Sequence, residues 1–403
     1  MEDSWRDDDP HARRGTPRPN ERIHDMTSTS FSAERLRERF EGEGDLTVGI
    51  EEEVMLLDPE SLDLAPVAAE VLERLAGDPA LKPELPAAHV EIVTRPHERA
   101  GDAVRELAAA RRRLVEAASG LALPAAAGAH PFAAEHGDLF PAERYREMQR
   151  DYGVIARRQL VCALQIHVAV RGAERALAVY NALRGFLPEI AALAAAAPYH
   201  RGEDSGLASV RPTISQLLPR QGVPPAVSSW SALADELAWG AAAGSVPEPR
   251  RWWWELRPNF AYGTLEVRVP DAQARVSDVA GVASFVHALV GLLCERFDDR
   301  GALAAPATWR IEENRFSACA HGVEGEMADL GTGIRRATRE RLGELVGQIE
   351  GSAARLGCTG ELGQARRLVR ENGAMLQRRA GGAVGAREAT RWLAENFGDE
   401  GKW

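Results

Sequence analysis

The chain has 403 residues, of which 45% are hydrophobic and 27% are charged, and this composition is typical of a folded globular protein. Its net charge of −11 argues against a nucleic-acid-binding surface, which needs a basic stripe. The four cysteines have neither CxxC nor zinc-finger spacing, which indicates buried thiols in a reducing compartment. We find no apolar run of the roughly 18 residues that span a membrane and no apolar signal-peptide core. We therefore expect a cytoplasmic protein with no membrane contact.

The beginning of the chain differs in composition from the rest. Residues 1–30 are charged and rich in Pro, Ser and Thr, which predicts a disordered tail, with Met26 as an alternative start. Residues 31–403 contain no internal repeat or low-complexity linker, so we expect a single domain there. Helical patterns occur, in chain order, at 31–40 (with Ser32 as N-cap), 66–75, 102–119, 141–152, 174–197, 276–297, 334–356, 359–370 and 387–397.

The first predicted strand, Leu46–Asp58, is apolar at both ends and acidic in the middle. Successive strand side chains point to opposite faces, so Glu51 and Glu53 share one face and Glu52 points to the other. Two carboxylates on one buried face need something that neutralises them. This pattern fits either an edge strand with a wet face or a floor for divalent cations, which prefer carboxylate oxygens.

Two further strand patterns also carry polar side chains in apolar runs. Residues 88–94 place Glu91 on a face with His89 and Val93, and residues 158–170 place Gln165 and His167 on one face. An exposed glutamate and a structural histidine would explain each pattern separately. A Gln and a His two residues apart on an apolar strand fit a binding site equally well.

The last strand pattern is a hairpin of residues 251–258 and 263–269, which follows a polar loop and Arg211. Alternation pairs Glu255 with Arg257 and Glu266 with Arg268. These pairs fit simple cross-strand salt bridges. They also fit a site for phosphate or carboxylate, because arginine binds both groups through two parallel hydrogen bonds.

The predicted strands do not alternate regularly with helices, which favours an α+β domain with a mainly antiparallel sheet flanked by helices. If the strands form one sheet, four carboxylates could converge on one face and raise one another's pKa unless metals bind there. No GxxxxGK[ST] string occurs, so any use of ATP must depend on this acidic sheet. The converging acidic side chains belong to Glu51, Glu53, Glu91 and Glu266.

Motifs in a fixed order over roughly residues 45–380 carry a family resemblance. They are Gly49–Glu53, Val90–Thr94, Gly128–Ala133, Gln165–Val168, Gly202–Arg211, Trp253–Pro258, Gly263–Arg268, Glu313–Arg315 and Gly373–Arg378. In this ordered set the chain resembles the glutamate–cysteine ligase type 2 family of carboxylate–amine ligases. The resemblance implies a curved, funnel-like antiparallel sheet related to the catalytic part of glutamine synthetase.

The resemblance also implies a reaction. ATP phosphorylates a carboxylate, in the type reaction the γ-carboxylate of glutamate, and the amine of cysteine attacks the acyl phosphate to form an amide. The implied co-substrate is ATP and the implied cofactor is Mg²⁺ or Mn²⁺. The metal and phosphate ligands implied by the motifs are Glu51, Glu53, Glu91, His167 and Glu266.

The same motifs assign roles to the arginines. The resemblance implies that Arg268 stabilises charge on the γ-phosphate and acts in catalysis with Glu53 and Glu266, and it makes Arg211 and Arg257 candidates for binding a substrate carboxylate. The chain departs from the family pattern at Gln165, where a second His is common, and at 196–197, where an Asn-Ser pair is common. Both departures bear on which substrate fits.

Three alternatives to this reaction remain at the level of sequence. The chain could use a different amine, could bind nucleotide or amino acid without turnover on the same scaffold, or could be a metal-dependent hydrolase that needs no ATP. The expected partners are small molecules: an amino acid carboxylate, an amine and ATP. The helical C-terminal region is a candidate contact for a homodimer.

Overall fold

A computed structural model describes residues 31–244 and 251–398 of the chain. The predicted disordered tail, residues 1–30, lies outside the described residues. The first described helix, Ala33–Glu38, begins where the sequence predicts it, because the Ser32 hydroxyl accepts a hydrogen bond from the Arg35 N–H at 3.2 Å.

The strands are β1 (Val48–Leu57), β2 (Leu81–Pro83), β3 (His89–Val93), β4 (Leu123–Ala125), β5 (Leu164–Ala169), β6 (Tyr199–His200), β7 (Glu203–Asp204), β8 (Leu256–Asn259), β9 (Thr264–Val267), β10 (Glu326–Ala328) and β11 (Arg335–Ala337). The helices are α1 (Ala33–Glu38), α2 (Ala68–Arg74), α3 (Ala100–Ala118), α4 (Glu143–Tyr152), α5 (Val154–Arg157), α6 (Ala173–Leu183), α7 (Leu187–Ala194), α8 (Arg211–Ser215), α9 (Trp230–Ala242), α10 (Val276–Arg300), α11 (Thr308–His321), α12 (Thr338–Arg355), α13 (Thr359–Arg370), α14 (Gly373–Gly381) and α15 (Ala386–Phe397).

Seven of the strands form one sheet, in the order β2-β3-β1-β5-β9-β8, and β4 also pairs with β1. All of these pairings are antiparallel. The predicted α+β class with a mainly antiparallel sheet is therefore confirmed. Strand β1 lies between β3 and β5, so strands from distant parts of the chain meet at its acidic segment.

The back face of β1 is closed by an arginine from α3. Ile50, Glu52 and Val54 alternate into the interior as predicted, and Glu52 is fully buried. Arg111 donates to both oxygens of Glu52, from Nε at 2.8 Å and from an Nη nitrogen at 2.5 Å. Arg111 also donates to the backbone carbonyls of Gln273, Ala274 and Phe397. One buried guanidinium thus joins the sheet, the start of α10 and the end of α15.

Helix α10 fills the layer behind the sheet and packs against α3, α6, α12 and α13. It is long and apolar enough to cross a membrane by length and composition, with a mean hydropathy of 1.8 over its best 18-residue window. The prediction that no such run exists was wrong. Because 89% of that window is buried inside the protein, the helix is a core element. At Gly281 a Cβ atom would lie 2.8 Å from the backbone N of Ala365 in α13, so glycine permits this close helix packing.

Some predicted boundaries were wrong. The single helix predicted at 174–197 is two helices, α6 and α7, with a 3₁₀ turn at Arg184–Phe186 between them and a proline in the first turn of α7. The helix predicted at 334–356 begins with strand β11, which pairs with β10. The strand predicted from residue 251 begins only at Leu256. Strand β2 and helices α9 and α14 were not predicted.

Candidate active site

A pocket of about 420 Å³ opens over the front face of the sheet. Strands β1, β3, β5 and the end of β9 contribute polar side chains to its floor, and these are Glu51, Glu53, Glu91, Gln165 and Arg268. Of the predicted acidic residues, Glu51, Glu53 and Glu91 line the pocket. Glu266 and His167 are not among the lining residues, but the pairing of β1 with β5 and of β5 with β9 places them on the same face, close to Glu51. On this face we distinguish two groups of side chains, which Gln165 and Arg268 connect through hydrogen bonds.

The first group consists of Glu51, His167 and Glu266. One ligand atom from each lies within 4.8 Å of the others. The His167 Nε2 atom is 3.5 Å from a Glu51 oxygen and 4.0 Å from a Glu266 oxygen. This arrangement follows from register, because His167 in β5 is directly opposite Glu266 in β9.

The imidazole of His167 is oriented by its other nitrogen, which lies 3.1 Å from the Thr264 hydroxyl. Among the described residues, the buried Nε2 atom has no hydrogen-bond partner. This nitrogen lies at ion-pair distance from both carboxylates, and in its neutral form it is suited to ligate a cation. The donor set of this group, two carboxylates and one imidazole, therefore fits a divalent metal.

The charges in this group shift one another's pKa. Burial lowers the pKa of His167, but attraction to Glu51 and Glu266 outweighs burial and raises it overall. Burial raises the pKa of Glu51, while His167 opposes this and brings the net pKa below its ordinary value. Glu266 is likewise buried, but Arg257, His167 and Arg268 hold its pKa well below the ordinary value.

Glu266 is the most firmly held carboxylate of the first group. One of its oxygens accepts from Arg257 Nε and from Asn259 Nδ2, both at 2.9 Å. The other accepts from Arg268. The Arg257–Glu266 pair is a cross-strand salt bridge between β8 and β9. Salt bridges of this kind were one of the two interpretations that the sequence offered for these strands. Glu255, expected to share a face with Arg257, lines the same pocket as Arg257 and pairs with the buried Arg315 of α11.

The second group consists of Glu53, Glu84 and Glu91. Glu53 in β1 is directly opposite Glu91 in β3, and Glu84 follows the end of the adjacent strand β2. Glu53 accepts hydrogen bonds from the Ala163 N–H at 2.7 Å and from Gln165 Nε2 at 2.9 Å. All three carboxylates line the pocket.

Like charges dominate the second group. Burial and the neighbouring Glu84 raise the pKa of Glu53 to about 7. Burial also raises the pKa of Glu84, and burial together with Glu51, Glu84 and Glu53 raises that of Glu91 well above the ordinary value. Carboxylates in such a group hold protons or share cations, because their charges repel. The carboxylate oxygens fit a hard divalent cation such as Mg²⁺ or Mn²⁺.

Sequence reasoning missed Glu84. The short strand β2 contains Lys82 and Pro83, and a three-residue run of this kind lacks the β-branched alternation that marks a strand. The remaining pocket wall was also missed. It comes from α4 and from the segment before β8, and includes Arg144, Tyr145 and Trp253. No pattern in these segments distinguishes a pocket wall from an ordinary surface.

The two arginines predicted to bind substrate also line the pocket, and both have protein partners. Arg211 Nε donates to Asp271 at 2.7 Å, and an Nη atom of the same residue donates to the carbonyl of Val269. Arg257 donates to Glu266 and to the carbonyl of Trp252. Their contacts stabilise the sheet next to Arg268.

Comparison with known sequences gives a consistent result. The model of the family described as "Glutamate-cysteine ligase family 2" matches residues 47–389. A Rubrobacter xylanophilus protein named "Putative glutamate--cysteine ligase 2-3" is 36% identical over 336 residues, which are 81% of this chain and 90% of that protein. A similarly named protein from Rhodospirillum rubrum is 35% identical over 333 residues, covering 80% of this chain and 85% of that one.

Comparison with solved structures concerns the fold. The crystal structure of glutamate–cysteine ligase from Francisella tularensis in complex with AMP superposes with a TM-score of 0.64 and 13% identity, over 88% of this chain and 89% of that chain. A bifunctional glutathione synthetase from Pasteurella multocida superposes with a TM-score of 0.58 and 13% identity, over 90% of this chain and 54% of that chain. At this identity the likeness shows that the chains share a fold.

Proposed function

Because the chain belongs to glutamate–cysteine ligase family 2 and is thus an ATP-dependent ligase, we propose that it activates the γ-carboxylate of glutamate as an acyl phosphate and couples it to the amine of cysteine. One observation supports this proposal best: ligand atoms of Glu51, His167 and Glu266 lie within 4.8 Å of one another, and Arg268 pairs with Glu266 beside them. Phosphoryl transfer needs this combination of cation ligands and a fixed positive charge.

The residues that would hold divalent cations are those of the two acidic groups. Glu51, His167 and Glu266 form one candidate site, and Glu53, Glu84 and Glu91 form the other. Mg²⁺ or Mn²⁺ bound there would neutralise charge on the phosphates of ATP. The convergence of His167 Nε2 with Glu51 and Glu266, and the raised pKa values of the second group, support this assignment.

Arg268 is the proposed charge stabiliser for the transferring phosphoryl group. It lines the pocket, and Glu266 and Gln165 hold its guanidinium in place. A positive group oriented before the reaction stabilises the transition state without reorganisation. Glu266 would act with Arg268 by fixing its guanidinium. Glu53 would act by binding a cation, and Gln165 links Glu53 to Arg268 through hydrogen bonds.

Arg211 and Arg257 are proposed to attract the substrate carboxylates. Both line the pocket, and the partners Asp271 and Glu266 keep their side chains oriented. A guanidinium offers five N–H donors, so one that is bound to a carboxylate of the protein can also attract a ligand. After phosphorylation, the amine nitrogen attacks the acyl carbon and forms the amide bond. The bond between that carbon and the phosphate oxygen breaks, phosphate leaves, and the nitrogen loses a proton.

The test is release of ADP by the purified chain with ATP, Mg²⁺ and glutamate against a panel of amines, with the amide product identified by mass spectrometry. We expect ADP and γ-glutamylcysteine in equal amounts when cysteine is supplied. Turnover with another amine alone would replace cysteine in the proposal. Nucleotide binding without ADP release would indicate a binding protein, and substrate cleavage without ATP would indicate a hydrolase.

A further inference from the structure

Gln165 connects the two acidic groups. Its side chain is 2% exposed and lines the pocket floor between them. The amide nitrogen donates to Glu53 at 2.9 Å, and the amide oxygen accepts from Arg268. The same Arg268 nitrogen also donates to Glu266. An unbroken series of hydrogen bonds therefore runs from Glu266 through Arg268 and Gln165 to Glu53.

The chemistry of this position is selective. The side chain must accept from a guanidinium on one side and donate to a carboxylate on the other, and a primary amide does both while carrying no charge. The register of the sheet keeps it in place, because Gln165 in β5 is directly opposite Glu51 in β1. Its neighbour Ala163 supplies the second donor to Glu53, so the backbone and side chain of one segment hold both oxygens of that carboxylate.

We propose that Gln165 is a positioning residue for phosphoryl transfer, which acts by setting Arg268 and Glu53 relative to one another. This inference rests on the proposed function. It adds a residue that acts through Arg268 and Glu53 and that does not itself need to contact the reacting atoms. Without the amide, Arg268 loses one of its two side-chain acceptors and Glu53 loses one of its two donors. The guanidinium would then remain charged and at the pocket surface but would no longer be held at the point where phosphate charge develops.

The test is a double-mutant cycle of Gln165→Met with Arg268→Lys, because a residue that acts through another gives non-additive effects. We expect Gln165→Met to lower kcat about 100-fold, as a displacement of a catalytic group by about 1 Å can do. We expect the KM for ATP to change less than about threefold. In the Arg268→Lys background the same substitution should lower kcat by less than about threefold further.

A second readout does not depend on turnover. The affinity for a non-hydrolysable ATP analogue with Mg²⁺, measured by calorimetry for the four proteins of the cycle, should change less than about threefold on Gln165→Met, because the substitution acts on the transfer step and leaves the ground-state complex intact. Gln377→Met is the matched control, since Gln377 is 1% exposed and donates to the Ala196 carbonyl outside the pocket. It should lower the melting temperature and leave kcat and analogue affinity unchanged. Should Gln165→Met not fold, Gln165→Glu keeps the size and the acceptor for Arg268 and removes the donor to Glu53.

The outcomes separate the two proposals. If the wild-type chain releases no ADP with any amine and binds no analogue, the proposed function fails and this inference fails with it. If the wild type is active and the effects of Gln165→Met and Arg268→Lys multiply, Gln165 does not act through Arg268 and only the inference fails. A loss of activity that only parallels a loss of folded protein would also overturn it.

Discussion

At the scale of single residues, Glu53 combines an unfavourable charge with a proposed functional role. Its pKa is raised to about 7 by burial and by Glu84, so the folded chain without cation gains little from this carboxylate. We predict that Glu53→Gln abolishes ADP release, because a neutral amide is a poor ligand for Mg²⁺. Its melting temperature without divalent cations should equal or exceed that of the wild type.

The measurements for this variant are steady-state ADP release and thermal unfolding in EDTA. Glu73→Gln, an exposed change on α2, is the matched control and should alter neither quantity. A Glu53→Gln enzyme with an unchanged rate would remove Glu53 from the proposed cation ligands.

The repulsion within the second acidic group leads to a prediction about metal. Because Glu53, Glu84 and Glu91 all have raised pKa values, a cation that binds the folded chain should stabilise it. We predict that Mg²⁺ alone, without nucleotide, raises the free energy of unfolding by about 2.7 kcal/mol at 100 times its dissociation constant. The increase should be smaller in Glu91→Gln. Equal stability of the wild type in Mg²⁺ and in EDTA would contradict this prediction.

Which residues share a face could be predicted at this scale, and which residues touch could not. Alternation correctly separated Glu51 and Glu53 from Glu52, because the two-residue period of a strand is a local property. The division of the acidic residues into two groups depends on strand register and on Gln165. Register is set by long-range pairing. For this reason Glu84, which reaches the pocket only through the pairing of β2 with β3, could not be found.

At the scale of elements, the Arg111–Glu52 pair joins helix α3 to the back of strand β1. A buried ion pair is a weak source of stability, but removing one partner leaves the other charge buried without compensation. We predict that Arg111→Met lowers the free energy of unfolding by about 3–5 kcal/mol. The double variant Arg111→Met with Glu52→Leu should recover a large part of that loss.

Urea unfolding of the three proteins measures this prediction. Arg105→Met is the control on the same helix, because Arg105 is exposed and pairs only with Asp102 of the helix itself among the contacts described. A loss for Arg111→Met as small as that for Arg105→Met would show that the buried pair does not hold the two elements together.

Long, strongly periodic elements were the predictable ones. Helix α13 was predicted with its observed bounds, and α4, α10 and α15 within a few residues. The strand predicted from residue 251 was wrong at its start, because the run of tryptophans fits a strand by propensity. In the fold this segment forms part of the pocket wall, and Glu255 pairs with α11. Tertiary contacts override local propensity in such segments.

At the scale of the whole molecule, buried histidines make stability depend on pH. His130 is fixed in its neutral form, because one nitrogen accepts from the Phe132 N–H at 3.1 Å while the other lies 2.8 Å from the Leu62 carbonyl. Burial lowers the pKa of His130 and also that of His287. The unfolded chain restores the ordinary pKa of about 6.5 and so binds more protons below that pH.

The contribution of His130 and His287 to the free energy of unfolding should therefore rise with pH up to about 6.5 and fall as the pH drops below that value. Glu53 and His167, whose pKa values are raised in the fold, contribute with the opposite sign, so the histidine contribution is measured as the difference in slope between the wild type and a variant. Urea unfolding between pH 5 and 7.5 measures the slope. We expect His130→Gln to be less stable at pH 7.5 and to show a shallower slope. The exposed His321→Asn serves as control. An unchanged slope in His130→Gln would contradict the prediction.

The antiparallel pairing of β5 with β9 has a consequence for synthesis on the ribosome. His167 emerges about 100 positions before the Glu266 that it faces, and Arg257 and Arg268 emerge with Glu266. Until then, the nascent chain carries Glu51, Glu53, Glu84 and Glu91 without these counter-charges. Such distant contacts are slow to form. A chain terminated before β9 would keep the β5 edge unpaired and would lack Glu266 from the first acidic group. Translation past residue 268 is the event that makes this site complete.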